Sequence, residues 1–270
     1  MAIVAIIPAR FASTRLPGKP LSDIHGKPMI QLVHERVRRA RRLTRVLVAT
    51  DDERIASVVR GFGGEVVITS PRHATGTDRL AEAVLATDAT IVVNVQGDEP
   101  MLDPGAIDAA VAAMDDPSRP EMATVSLPLT DWREMLAPSV VKVVTDARGD
   151  ALYFSRGPIP AVRLAGDADP AAMAREAVAL GLARKHLGLY VFTREALLRF
   201  ASLAPAPLEQ AEGLEQLRAL YHGMRIRVVR YAGDGGVAVD TPQDLERVRA
   251  LLAGAMNHGK GANCPPSTSS

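Results

Sequence analysis

Short runs of β-branched and aliphatic residues recur through the first part of the chain, each followed by helical periodicity. Ile3–Ile7, Val46–Ala49, Val66–Ile68 and Ile91–Val95 are short and almost wholly apolar, which is the pattern of strands buried on both faces. Between them, Ile30, Val33 and Val37 share one helical face, and Ile55, Val58 and Val59 share another. Asp51 is placed to cap the second of these helices, Gly63-Gly64 closes it, and Thr77–Leu85 is helical. Strands parted by helices need crossover connections, so the pattern predicts βαβ units and a mostly parallel sheet.

The second half is less regular. Ala123–Leu129, Val140–Val144, Leu152–Ser155, His186–Phe192 and Ile226–Val229 read as strands, Leu208–Tyr221 and Pro242–Leu252 as helices. The segment 157–183 mixes prolines and glycines with an alanine-rich helical stretch, and the tail 254–270 is polar, rich in Gly, Pro and Ser, and expected to be disordered. A chain of 270 residues with 47% hydrophobic content can bury one large core. Lys and Arg number 32 against 31 acids, a balance that argues against nucleic acid as a partner. No apolar run is long enough for a membrane span, and Met1–Phe11 lacks the basic leader and cleavage site of a signal peptide. Cys264 is the single cysteine, so neither a disulfide framework nor a multi-cysteine metal site is open to the chain. A cytoplasmic location is expected.

Three segments carry candidate chemistry. The loop after the first strand places Arg10, Arg15 and Lys19 beside Ser13, Thr14 and Gly18. Cations, hydroxyls and backbone amides at the carboxyl edge of a parallel sheet suit a polyphosphate, although a solvated surface loop has the same composition. It is neither a Walker A loop nor a GxGxxG turn, because Gly18-Lys19 and Gly26-Lys27 each precede proline and Gly61–Gly64 precedes a strand. Asn94–Pro100 ends a buried strand in Gly97-Asp98. That is either turn chemistry or a carboxylate aimed at a divalent cation, and both readings stay open on the residues alone. Asp240-Thr241-Pro242 is first of all a helix cap, with Asp240 a second metal ligand only if it meets a partner. His186, Arg156, Glu215 and Gln216 are, taken singly, ordinary structural or surface residues.

Taken in order, these segments resemble one family. IIPARFASTRLPGKPL from Ile6, HGKPMI from His25, VATDD from Val48, TGTDRLAE from Thr75, VNVQGDEPM from Val93, VVKVVTDARGDALYFSR from Val140, HLGLYVF from His186, PLEQAEGLEQLR from Pro207 and VDTPQDLERV from Val239 are similar to the 3-deoxy-manno-octulosonate (Kdo) cytidylyltransferases. The resemblance runs from Ile3 to about Leu252. It implies an α/β nucleotidyltransferase (Rossmann-like) fold with a mostly parallel central sheet. One domain, 1–253, would divide into a nucleotide part (about 1–130 plus 225–253) and a smaller sugar-binding and dimerisation lobe (about 131–224). It implies CTP and Kdo as substrates, CMP-Kdo and pyrophosphate as products, Mg²⁺ as cofactor, a homodimer, and a place in lipopolysaccharide biosynthesis. By the same resemblance Arg10, Lys19 and Asp98 are catalytic. Pro8, Ala9, Ser13, Arg15, Thr75, Gly76 and Arg79, with Arg10 and Lys19, would bind the nucleotide. Gln96, Arg156, His186, Tyr190, Glu215 and Gln216 would bind the sugar, and Asp98 and Asp240 the metal. Thr75 stands where the family carries serine and keeps the hydroxyl. The alternatives are another acidic sugar, an 8-amino analogue of Kdo or a sialic acid, or a silent nucleotide-sugar-binding protein. Intact Arg10, Lys19, Asp98 and Asp240 weigh against the last.

Overall fold

The computed structural model describes residues 2–12, 16–164 and 169–260, with the backbone alone for 255–260. In chain order its elements begin with β1 (Ile3–Ala9), a small hairpin of β2 (Asp23–Ile24) and β3 (Lys27–Pro28), α1 (Met29–Val37), β4 (Arg45–Thr50), α2 (Glu53–Gly61), β5 (Glu65–Ile68), α3 (Gly76–Leu85) and β6 (Ile91–Asn94). Then come α4 (Pro104–Ala112), β7 (Met122–Pro128), α5 (Trp132–Leu136), β8 (Lys142–Thr145), β9 (Ala151–Ser155), α6 (Pro170–Ala179) and β10 (Arg184–Thr193). The chain closes with α7 (Arg194–Ser202), α8 (Pro207–Glu212), α9 (Gln216–Tyr221), β11 (Ile226–Arg230) and α10 (Pro242–Lys260).

Seven strands follow the order β11-β7-β10-β6-β1-β4-β5, and β8 pairs with both β10 and β9 off that path. β1 pairs in parallel with β4 and β6, β4 with β5, and β11 with β7; β10 runs antiparallel to β6 and β7. The mostly parallel α/β sheet expected from the strand–helix alternation is therefore present, with β10 reversed inside it. Side chains alternate along β1. Ile3, Ala5, Ile7 and Ala9 join one buried cluster with α1, α2 and α4, whereas Val4 and Ile6 join the cluster on the opposite face with α3 and α7. Each such fully buried Ile or Val contributes roughly 1.5–3 kcal/mol relative to exposure.

The structure moves several expected boundaries. Asp52, not Asp51, caps α2 by accepting from the Arg54 amide; Asp51 is instead 3.2 Å from Arg79 Nη2. The stretch 208–221 is two short helices, because Gly213 takes φ 61° and ends α8 in a left-handed turn. Helix α10 continues past Leu252 to Lys260, so the segment from Gly254 begins as helix, and 261–270 lie outside the described residues. Helices α4 and α7 were not anticipated. β10, expected in the smaller lobe, runs within the main sheet. Off the sheet's main path lie β8 and β9, and α5 and α6 share a separate small core of Leu129, Met135, Ala174, Ala177 and Ala183.

Candidate active site

Parallel strands β1 and β6 end side by side, and the chain beyond them makes two walls of one cleft. Pro8, Ala9, Arg10 and Lys19 come from the first; Gln96, Gly97 and Asp98 come from the second; Gly76, at the start of α3, closes the end. Together they line a space of about 290 Å³. The walls can approach because position 97 is glycine: a Cβ there would sit 2.7 Å from the Pro8 carbonyl oxygen. Helix α3 is held by a capping box, in which Thr75 Oγ1 accepts from the Asp78 amide and Asp78 Oδ2 accepts from the Thr75 amide. A second cleft of about 270 Å³ meets the first at Arg10 and Ala12, and Asp51, Arg54, His73 and Arg79 also line it. Arg79 itself is fully buried, with Nη1 donating to Thr69 Oγ1 and Nη2 beside Asp51. Arg10 makes no side-chain hydrogen bond among the described residues, which leaves its charge for a ligand. Ser13 and Arg15 lie outside the described residues.

Lys19 brings the acids together. Its ammonium donates to Asp98 Oδ2 at 2.6 Å, to the Val239 carbonyl at 2.9 Å and to Asp240 Oδ1 at 3.4 Å. The Val239 amide donates in turn to the Asp98 carbonyl at 2.8 Å, tying the chain before α10 to the end of β6. Asp240 reaches this point because Thr241 takes over the capping role: Thr241 Oγ1 accepts from the Asp244 amide, and Asp244 Oδ2 accepts from the Thr241 amide. The sequence left cap and ligand open for Asp240; the capping hydrogen bonds fall to Thr241, and Asp240 stands beside Lys19. The Mg²⁺ implied by the resemblance fits this donor set. Two carboxylates converge on one cationic point, and a small hard ion takes one or two carboxylates and fills its other positions with phosphate and water. Among the described residues no cluster of three or more His, Cys, Asp and Glu could hold a metal alone.

The expected sugar residues gather beside this cleft. On β10 the His186 and Tyr190 rings stand 5.3 Å apart, and His186 packs edge-on against Phe154 at 5.0 Å. Thr124 Oγ1 lies 2.8 Å from His186 Nε2 and donates to the Leu189 carbonyl at 2.7 Å. Burial drives the imidazole pKa down to about 3 and that of the Tyr190 phenol well above its ordinary value. Glu215, just before α9, accepts from Thr77 Oγ1 at 2.6 Å. Buried Gln216 and half-buried Tyr190 border a small space beside it. Gln96 lines the main cleft and donates to Asn94 Oδ1 at 3.3 Å. Arg156 is placed differently. Its Nε donates to the Glu212 carbonyl at 2.7 Å and its Nη1 to the Pro138 carbonyl at 3.0 Å. Fully buried Lys142 completes the same knot, its ammonium donating to the carbonyls of Ala137, Val140 and Arg156.

One titratable group beside the site was missed. Glu99 is 9% exposed, and burial, helped by the Asp98 charge, pushes its carboxyl up to about 8. In sequence it looks like one more acid in a turn; only the fold encloses it.

The geometry matches known relatives along almost the whole chain. A cytidylyltransferase family model covers residues 4–226. A 3-deoxy-manno-octulosonate cytidylyltransferase of Syntrophotalea carbinolica is 55% identical over 94% of this chain and 100% of its own. This chain belongs to that family. The relative from Geobacter sulfurreducens is 54% identical over 93% of this chain and 100% of its own. A solved CMP:2-keto-3-deoxy-manno-octonic acid synthetase, complexed with CTP, superposes with a TM-score of 0.84 at 43% identity, covering 94% of this chain and 100% of that one. The family membership expected from the ordered motifs is thus established, as is the nucleotidyltransferase class. Among the described residues no helix is long and apolar enough to cross a membrane.

Proposed function

We propose that this enzyme transfers CMP from CTP to the anomeric hydroxyl of Kdo, releasing pyrophosphate. The observation that carries the reading is the convergence of Lys19, Asp98 and Asp240 at the mouth of a cleft walled by Pro8–Arg10 and Gly76, in a chain whose relatives bear this activity in their names. Pro8, Ala9, Thr75 and Gly76 bound the nucleotide, and Arg10 and Lys19 meet its phosphates. Gln96, His186, Tyr190, Glu215 and Gln216 hold the sugar, and Arg156 holds the turn before Glu215 in place. The anomeric oxygen bonds to the α-phosphorus in line, the bond to the bridging oxygen breaks, and the electron pair leaves on pyrophosphate while the hydroxyl proton passes to water. Asp98 and Asp240 hold Mg²⁺, which when bound polarises the phosphoryl oxygens and offsets charge. Arg10 and Lys19 stabilise the charge gathering on the leaving group, so positioning and electrostatics suffice without a covalent intermediate.

Pyrophosphate release from CTP, measured with Kdo, its 8-amino analogue and a sialic acid, tests the reading. Release should be fastest with Kdo; release no faster than without any sugar would sink it. Asp98→Asn should lower the rate by about 10²–10³ with an unchanged melting temperature, since one charge at the reacting phosphate is lost. Near-normal turnover at limiting Mg²⁺ would remove Asp98 from the metal site. The homodimer implied by the resemblance is tested by sedimentation against the 28.8 kDa of one chain.

A further inference from the structure

Two carboxylate oxygens among the described residues are enclosed without a hydrogen-bond partner, Glu215 Oε1 and Glu99 Oε2. Buried acceptors left unpaired are rare and costly, and those at a ligand site are satisfied by donors the ligand brings. Glu215 is already counted with the sugar. Glu99 is not.

Its position is specific. The backbone of Glu99 is fixed in a turn, its amide donating to the Gln96 carbonyl at 3.4 Å and its carbonyl accepting from the Leu102 amide at 3.2 Å. The side chain turns inward over β10. A Cβ on Gly188 would lie 3.6 Å from Glu99 Oε1, so the carboxyl sits over the glycine that parts His186 from Tyr190. There β10 departs from regular pairing: its register jumps from Leu187 opposite Val125 to Tyr190 opposite Thr124. A bulge next to a site commonly re-aims side chains, and this one leaves a side-chain-free step under the Glu99 carboxyl. No lysine, arginine or histidine pairs with Glu99 among the described residues. Its charged neighbour is Asp98, one residue away at the metal end of the cleft.

We propose that Glu99 is a specificity-determining residue that touches the substrate, its carboxyl turning out of its enclosure as the acidic sugar lodges against His186 and Tyr190, so that Oε2 accepts a hydrogen bond from one of the sugar's hydroxyls. This rests on the function proposed above. A polyhydroxylated chain offers several such donors. The carboxyl keeps an acceptor oxygen whether or not it carries a proton, so the contact does not depend on its ionisation.

The test uses the full chain and the variants Glu99→Gln and Glu99→Ala, with pyrophosphate release at fixed Mg²⁺ and with Kdo or forms of Kdo lacking one hydroxyl each. Glu99→Ala should raise the Michaelis constant for Kdo about ten- to hundredfold, Glu99→Gln should raise it less, and that for CTP should stay within about twofold. One deoxy form should lose as much on the unaltered enzyme as Kdo loses on Glu99→Ala, and lose nothing further on the variant. An unchanged constant for Kdo, which a water-bound carboxyl would give, overturns the proposal. So does a parallel rise for CTP, equal losses for every deoxy form on both proteins, or failure of both variants to fold. The rise in melting temperature caused by Kdo alone separates the two readings. If the unaltered protein shows no turnover with Kdo but keeps a Kdo-dependent rise that Glu99→Ala loses, the function falls and the contact stands; with neither turnover nor rise, both fall.

Discussion

His186 carries a prediction that its sequence position alone does not. With a pKa of about 3 against an unfolded value of 6.5, driven down by burial, the ring is neutral at physiological pH. Between those two values the unfolded chain binds the proton and the folded one does not, so stability from this group is full above the unfolded pKa and declines as pH falls through the window. The imidazole resonances of His186 should stay fixed between about pH 8 and about pH 5. An inflection near the ordinary histidine value would show that the ring is not enclosed as described. Such single-residue properties divide by how local their cause is. The meeting of Lys19 and Asp98 was half legible: a cationic loop after one parallel strand and an acid after another both reach the carboxyl edge, but turn and ligand stayed open for Asp98, and only the fold makes β1 and β6 neighbours. The division of labour between Asp240 and Thr241 was half legible, since either fits a cap. Glu99 and His186 were not, because burial is made by distant strands, and Asp51 was misread by one position because adjacent aspartates offer the same cap.

At the scale of elements, the knot around Arg156 joins the end of β9, the chain before β8 and the turn between α8 and α9. Ser155 Oγ donates to Glu212 Oε1 at 2.7 Å and the Arg156 amide to Glu212 Oε2 at 2.9 Å, while the guanidinium takes the Glu212 carbonyl on the other side. Glu215 follows within three residues. Replacing Arg156 by lysine keeps the charge and loses the fork that spans two carbonyls. Arg156→Lys should therefore raise the Michaelis constant for Kdo by about tenfold and leave that for CTP near its starting value. Equal rises in both would mean the knot supports the whole cleft rather than the sugar side. In the first half β1, β4 and β6 were legible because they are buried on both faces and read as unbroken apolar runs; β5 has the same kind of run but lies at the sheet edge, with Ile68 51% exposed. The second half was harder for identifiable reasons. A helical pattern over 208–221 hides the left-handed turn at Gly213, and Pro104–Ala112 is so rich in alanine that no face stands out.

For the whole molecule, the α/β class followed from alternation alone, but the reversed β10 did not, since an apolar run does not tell its direction. The two walls meet at Gly97, where a Cβ would sit 2.7 Å from the Pro8 carbonyl oxygen. Gly97→Ala should cost about 1–3 kcal/mol in urea unfolding, because a methyl there meets backbone that cannot step aside; a loss well under that would show that the walls can separate. The same closure spans nearly the full sequence, for Lys19 and Asp240 are 221 residues apart. Contacts of such separation form last as a chain is made. A nascent polypeptide would thus display its phosphate loop through most of synthesis while lacking the second acid and the carbonyl that steady Lys19. Competence would wait until Asp240 and the helix after it have been made, and a chain stopped before Asp240 would be inert.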